Sequence, residues 1–277
     1  MKKQVSVIIP NFNYGRYISH AIDSVLAQDY NEIEIIVVDD GSTDNSLEVL
    51  SAYGTKITLI CSTHGGAPIA RNFGLMCASG DLIAYLDADD YWMPTKISKQ
   101  VKLLEETKVD LVYCQITVLN ERGQTTLHSS KLKSGNFSGD YLKNPTRTPF
   151  APSTVLMTRR LIALAGIWDP SMKSPSEDFD YFRRCSKFTH FNAIEEALVV
   201  HRNHPMSLTA VSLEKYFLDN RLAVRKMFSD EYPEISAYQI RFCWIKFHFI
   251  YFKAFLKVRD FSWAIHCFLS CFSPIYH

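Results

Sequence analysis

Asp87-Ala88-Asp89, with Asp90 behind it, comes directly after the apolar run Leu82-Ile83-Ala84-Tyr85-Leu86. That run reads as a buried strand. At a strand end, residues two apart point the same way, so two carboxylates can converge. Hard oxygen donors of this kind suit Mg²⁺ or Mn²⁺, with substrate phosphates completing the shell. An acidic triplet in a loop is ordinarily a solvated turn, and its place at a strand end is what argues for function here. Asp39-Asp40 follows another apolar run, Ile33–Val38, and precedes Gly41-Ser42-Thr43-Asp44. Such a carboxylate can accept a hydrogen bond from a base N–H or a ribose hydroxyl. Helix capping explains Thr43 or Asp44 but leaves a pair of acids on the strand unexplained. Glu177-Asp178 opens a helix expected over Asp178–Arg184, with Ser176 as N-cap. A helix N-terminus favours the ionised carboxylate, so Asp178 is expected to stand ready to accept a proton. Stabilisation of the helix dipole explains the same two acids without chemistry.

Two further groups are supporting. Arg71 and Asn72 sit early in a helix after His64-Gly65-Gly66, either facing substrate or forming an exposed polar face. His201-Arg202-Asn203-His204 follows a strand at Ala197–Val200, where either histidine can be structural, ligate metal or contact phosphate. Neither G-x-x-x-x-G-K-[ST] nor G-x-G-x-x-G follows any strand. A glycine loop therefore does not hold a nucleotide here, and a divalent cation at the acids must neutralise any diphosphate.

The elements that must position these residues alternate. Strands are expected at Val5–Ile9 (ended by Pro10), Ile33–Val38, Lys56–Cys61 and Asp81–Leu86. Helices are expected over Arg16–Gln28, from Thr43 or Asp44 to Ala52, over Ile69–Ala78 and from Pro94 to Glu106. This βαβα order implies an α/β fold, a mostly parallel sheet with helices on both faces and ligands at the carboxyl ends of its strands. Beyond Asp110 the pattern shifts to strands at Asp110–Val118 and Phe150–Met157, a turn at Asn120–Gly123, and a helix from Arg159 to Gly166. From Ser212 onward the chain reads as aromatic-rich helices.

With 277 residues, 30 Lys+Arg and 29 Asp+Glu, the chain has a net charge of +1. That balance argues against a general nucleic-acid binder, which needs surplus cations. No uninterrupted tract of about 20 apolar residues suggests a membrane span. The N-terminal Met1-Lys2-Lys3-Gln4 enters a strand with no signal-like stretch, and the seven cysteines lack a C-x-x-C pair. Reduced thiols and a cytoplasmic setting are the expectation. Between Arg241 and Arg259, five basic residues lie among Phe, Trp and Tyr with no acid. Residues 236–277 therefore either pack as ordinary helices with snorkelling cations, or lie on the inner face of an anionic membrane.

In order and spacing these elements resemble family 2 glycosyltransferases, the inverting group with the GT-A fold. The resemblance is carried by Val5–Asn13, Ser24–Gln28, Val37–Asp44, Ala70-Arg71-Asn72, Leu86–Asp90, Gly166-Ile167-Trp168-Asp169, Glu177-Asp178 and His201–His204. It covers roughly the first three-quarters of the chain. It implies a catalytic domain at 1–211, with a nucleotide-binding half at 1–110 and an acceptor half at 111–211, and a helical region at 212–277. It implies that Pro10, Phe12, Asp39, Asp40, Arg71 and Asp87 flank the nucleotide, with Asp40 on the base. Asp89 and His204 would face a Mn²⁺ or Mg²⁺ ion beside the leaving diphosphate. Asp178 would be the general base, and Asp90, Trp92, Trp168 and Glu177 would line the sugar and acceptor. The partners implied are a nucleotide-sugar donor, UDP-linked on family grounds, and a saccharide or lipid-linked acceptor in polysaccharide or glycan assembly. The Q/R-x-x-R-W signature of processive synthases is absent, which suggests one sugar added per encounter.

Rival readings are a catalytically silent nucleotide-sugar-binding protein, a phosphoacceptor signalling module and a nucleotidyltransferase. A phosphoacceptor module would carry its acid pair after the first strand, whereas Asp39-Asp40 follows the second. A nucleotidyltransferase would need a glycine-rich basic loop that Pro10–Gly15 does not provide.

Overall fold

The computed structural model describes residues 2–128, 131–143, 150–172, 176–205, 212–229 and 236–273. Parts of the loops expected to shape acceptor recognition (129–130, 144–149, 173–175) and of the C-terminal region (230–235, 274–277) lie outside the described residues. β1 (Val5–Asn11), β2 (Ile33–Asp39), β3 (Thr58–Cys61) and β4 (Leu82–Tyr85) are parallel, in the order β3-β2-β1-β4. α1 (Ile18–Leu26), α2 (Ser46–Ser51) and α3 (Ala67–Cys77) connect them, and β5 (Tyr91–Trp92) and α4 (Lys96–Thr107) follow. Next come β6 (Leu111–Leu119), β7 (Thr125–Leu127), α5 (Ser138–Lys143), β8 (Leu156–Thr158), α6 (Arg159–Ala165), α7 (Glu177–Cys185) and β9 (Phe191–Arg202). The sheet continues from β4 through β8, β6 and β9 to β5, with β7 paired to β6 as a hairpin. Three helices close the chain: α8 (Leu213–Ser229), α9 (Ala237–Lys257) and α10 (Phe261–Ser270).

Side chains alternate across the sheet and create two apolar layers. Val7, Ile9, Ile35, Val37 and Ala84 pack with α1 and α4 on one face. Ile8, Ile36, Val38, Ile83 and Tyr85 face the other, in a cluster that runs on to Phe217, Trp244 and Phe247 of the C-terminal helices. β2 is thus buried on both faces, as its unbroken β-branched run requires.

Three boundaries differ from the sequence expectation. β1 does not stop before Pro10 but carries it to Asn11. Leu82 N–H and Leu86 N–H donate to the carbonyls of Gln4 and Ile8, so the even residues of β1 face β4. Pro10, which has no N–H to donate, lies past Ile8, the last residue of β1 paired with β4. Phe150–Met157 is not one strand: a 3₁₀ turn at Pro152–Thr154 shortens it to β8. β9 has 12 residues instead of the four expected. Its register against β6 shifts around Gln115 and its middle exposes Glu195 and Glu196, so the alternation that would betray it is broken.

Candidate active site

The carboxyl ends of β1, β2 and β4 form one edge, and the loops after them are tied together by side chains. Asn13, at φ 58°, accepts through Oδ1 from the N–H groups of Thr43 and Asp44. Asn11 Nδ2 donates to Asp39 Oδ2 at 2.8 Å, and Ser42 N–H donates to Asp39 Oδ1 at 2.9 Å. Asp39 is therefore buried with both oxygens engaged in building the loop. Asp44 caps α2 through Ser46 N–H and also accepts from Gly15 N–H.

Asp40 reaches to the opening of α3. Its carboxylate accepts from Gly65 N–H at 2.9 Å, Gly66 N–H at 2.7 Å and Ser62 Oγ at 3.1 Å, with His64 Nδ1 also 3.1 Å away. Gly66, at φ 93°, lets the chain turn so that these amides face one acid. The His64 ring stacks on Phe12, centroids 4.0 Å apart. Phe12, Asp40 and His64 thus share one corner of the edge, beside Pro10 at the end of β1.

Four residues after the start of α3, Arg71 is buried and bridges two acids. It donates to Asp87 Oδ1 at 2.9 Å and to Glu177 Oε1 at 3.3 Å. Its guanidinium lies 4.5 Å from the centre of the Trp168 ring. The planar fork lets Nη1 and Nη2 each reach a different carboxylate. Asn72 exchanges two hydrogen bonds with the Trp168 backbone, which holds α3 to the loop before α7. Trp168 itself is fully buried, stacked 4.0 Å from Tyr181 and edge-on to Tyr85.

Asp178 lies next to this ion-pair chain. Burial, then the adjacent Glu177, pushes its carboxyl up to about 8, although its own helix end contributes the Phe179 N–H to Oδ1. Desolvation and the neighbouring acid thus push against the helix N-terminus, which favours the ionised form. Ser176 makes no side-chain cap bond, against expectation.

Asp89 Oδ2 lies 3.0 Å from His204 Nε2. Burial, then Asp90 and Asp87, raises Asp89 to about 8, while burial lowers His204. Both shifts favour the uncharged forms. A divalent cation at this pair would take Asp89 as a carboxylate and His204 as a neutral imidazole. Among the described residues, no group of three or more His, Cys, Asp or Glu could hold a metal. One carboxylate and one imidazole fit a cation whose other positions go to phosphate and water, and the pairing suits Mn²⁺ at least as well as Mg²⁺.

Three residues expected at the sugar or acceptor are buried in the structure. Asp90 is 1% exposed, accepting from Ser153 Oγ at 2.7 Å and Arg202 N–H at 3.2 Å and pairing with His201 Nδ1 at 3.0 Å. That acid raises His201 to about 9. Trp92 is 3% exposed and donates Nε1–H to the Ser153 carbonyl, with Lys96 over its ring. Trp168 is the buried platform under Arg71. Glu177 is buried as well, pairing with Arg71 through Oε1, and Oε2 has no partner among the described residues.

Sequence reasoning missed Ser153, whose Oγ serves Asp90 and the Asp87 N–H while its carbonyl holds Trp92. A serine inside an apolar stretch carries no signal of that role. It also missed Tyr17, whose ring lies 4.8 Å from that of His204 and under the Arg202 guanidinium. The five buried and two exposed cysteines are all free.

The chain matches the model of the family described as Glycosyl transferase family 2 over residues 6–164, more than half its length. It is 38% identical over 165 residues to an uncharacterized glycosyltransferase of Nostoc sp., covering 57% of this chain and 51% of that protein. It is 31% identical over 218 residues to an uncharacterized glycosyltransferase of Rickettsia typhi, covering 76% of this chain and 67% of that protein. The chain thus spans about half to two thirds of the length of these relatives. Among solved structures, the fold matches S. aureus TarS 1–349 in complex with UDP-GlcNAc at a TM-score of 0.64 and 18% identity, covering 96% and 91% of the two chains. It also matches the mannosyltransferase PcManGT of Pyrobaculum calidifontis, in complex with GDP-Man and Mn²⁺, at 0.64 and 17% identity, covering 98% and 74%. The GT-A arrangement of sheet and helices, and a family match that takes in β1 to β8, together establish that this chain belongs to glycosyltransferase family 2.

Proposed function

We propose that the protein is an inverting, non-processive glycosyltransferase that moves one sugar from a nucleotide-sugar to a hydroxyl of a saccharide or lipid-linked acceptor. The observation that carries this reading is the ion-pair chain Asp87–Arg71–Glu177, in which the buried Arg71 ties the strand end after β4 to the start of α7, where Asp178 stands. In this reading Phe12 and the Asp40 loop take the base, and Asp87 takes the ribose. Asp89 and His204 hold a divalent cation against the diphosphate.

An acceptor hydroxyl is a poor nucleophile. Asp178 removes its proton as it attacks the anomeric carbon from the face opposite the diphosphate, and one displacement inverts that carbon. A base whose pKa lies near 8 suits this task, because proton transfer is most efficient when the pKa is close to the working pH. Glu177 and Arg71 hold α7 so that Asp178 faces the sugar. The cation, when bound, stabilises the charge that grows on the departing nucleoside diphosphate. A UDP-linked donor is the first choice, with a GDP-linked one as comparison.

The test is a thermal-shift screen of nucleotide-sugars with Mn²⁺ or Mg²⁺, followed by an assay of nucleoside diphosphate release. The proposal expects a stabilising donor whose turnover is lost in Asp178→Asn while its binding persists. Full turnover in purified Asp178→Asn protein, or indifference of the wild type to every donor, would falsify it.

A further inference from the structure

We propose that the hairpin of α9 and α10 is an anionic-lipid docking surface, on which the protein lies without crossing the bilayer. This inference is independent of the reading of the active site. α9 is apolar almost all round. One side, with Trp244, Phe247, Tyr251 and Phe255, is buried in the core. Such a helix needs cover on its other side too. That other side carries Phe242, Ile245 and Phe249, spaced three and four apart and all exposed. On α10 and in the turn after it, Ile265, Phe268 and Phe272 form a matching exposed stripe, and Phe272 is 66% exposed.

The two stripes are one surface. Phe252 lies 5.8 Å from Phe249 on its own helix and 5.6 Å from Phe268 across the hairpin, and Phe268 lies 5.5 Å from Phe272. More than half of the exposed large hydrophobic residues described in the whole chain fall within 236–273. A contiguous apolar face of this kind marks a binding surface, not scatter.

Charge selects the occupant. Residues 236–273 hold five Lys or Arg and one acid, whereas the rest of the chain holds 25 and 28. The single acid, Asp260, is turned inward to cap α10 through Trp263 N–H. Lys253 and Lys257, four residues apart and exposed, lie along the flank of the α9 stripe, while Lys246 on the same flank donates to the Lys143 carbonyl. Lys253 lies 4.7 Å from the centre of the Phe249 ring, its stem along the apolar face and its charge at the rim. An apolar stripe edged by a row of cations, on a chain that is otherwise slightly acidic, fits acyl chains under anionic headgroups. Among the described residues no helix is long and apolar enough to cross a membrane, so the hairpin lies in the interface plane.

The test is vesicle co-sedimentation of the full chain, comparing phosphatidylcholine with phosphatidylcholine containing about 30 mol % phosphatidylglycerol, at low and high salt. The expected result is binding to the anionic vesicles that weakens with salt. Lys253→Gln with Lys257→Gln should weaken it about thirtyfold, from roughly fivefold per surface cation. Phe249→Ser with Phe268→Ser should abolish it, and the two lysine changes keep the test open if that pair disturbs folding. Wild-type protein that stays in the supernatant with anionic vesicles overturns the proposal. So does a stable dimer in light scattering that Phe249→Ser and Phe268→Ser convert to monomer, since the face would then belong to a second copy.

Discussion

At the scale of single residues, the site balances charges it cannot solvate. Arg71 is buried between Asp87 and Glu177, and it has no other carboxylate partner among the described residues. Arg71→Met leaves two acids facing each other without a cation. It should cost about 3 kcal/mol or more, the range for breaking a buried pair, read as a lower urea midpoint. Arg71→Lys should recover part of that stability but not turnover, because one nitrogen on a shorter side chain must replace the two that reach Asp87 and Glu177 separately. Asp178 gives the pH dependence. Its carboxyl is raised to about 8 from an ordinary value near 4, so kcat/KM should climb with pH up to about 8 and then level off. The stability it contributes has the opposite sign: present below pH 4, it is lost as pH rises through about 8, because the unfolded chain releases this proton first. Asp178→Asn should lower turnover by about 10²–10⁴ and flatten both profiles.

At the scale of elements, α3 is the part on which the site depends. Its N-terminal loop is clasped by Asp40, its next turn carries Arg71 and Asn72, and its far end lies flat on the sheet. Gly74 makes that contact possible: a Cβ there would stand 2.4 Å from Ile8 Cγ2 and 3.3 Å from Val38 Cγ2. In an exposed helix, Gly→Ala gains about 1 kcal/mol. Here Ile8 belongs to a strand paired on both sides and cannot retreat, so overpacking wins. Gly74→Ala should destabilise by about 1–3 kcal/mol before that gain is subtracted. Calorimetry should show a lower melting midpoint. Turnover should fall as well, since lifting α3 moves Arg71 one turn away. An unchanged midpoint would mean that α3 does not rest on β1 as described. β9 shows the same dependence on neighbours, because its irregular pairing with β6 brings His201 to Asp90 and leads into His204.

At the scale of the whole molecule, the carboxyl edge of a mainly parallel sheet gathers loops from positions more than a hundred residues apart. A donor that bridges them should stabilise the fold by about 2.7 kcal/mol at a hundredfold excess over its Kd. In Asp89→Ala or His204→Ala, the part of that thermal shift that depends on Mn²⁺ should vanish, while the midpoint without ligand changes far less. A Mn²⁺ shift that persists in both variants would place the cation elsewhere. Much of this was legible in the amino-acid order alone. The β-branched runs, the acids at their ends and the turn residues between them dictate alternating strands and helices and a site at the strand ends, because these depend on local periodicity and on where a chain can turn. The tertiary structure alone decided which of these side chains are buried and what they touch. Asp90, Trp92 and Trp168 have the composition of a sugar site yet are buried, and burial and Glu177 push the Asp178 carboxyl up against the pull of its helix end. Burial and the proximity of charges distant in sequence set those outcomes, and neither is written in local spacing.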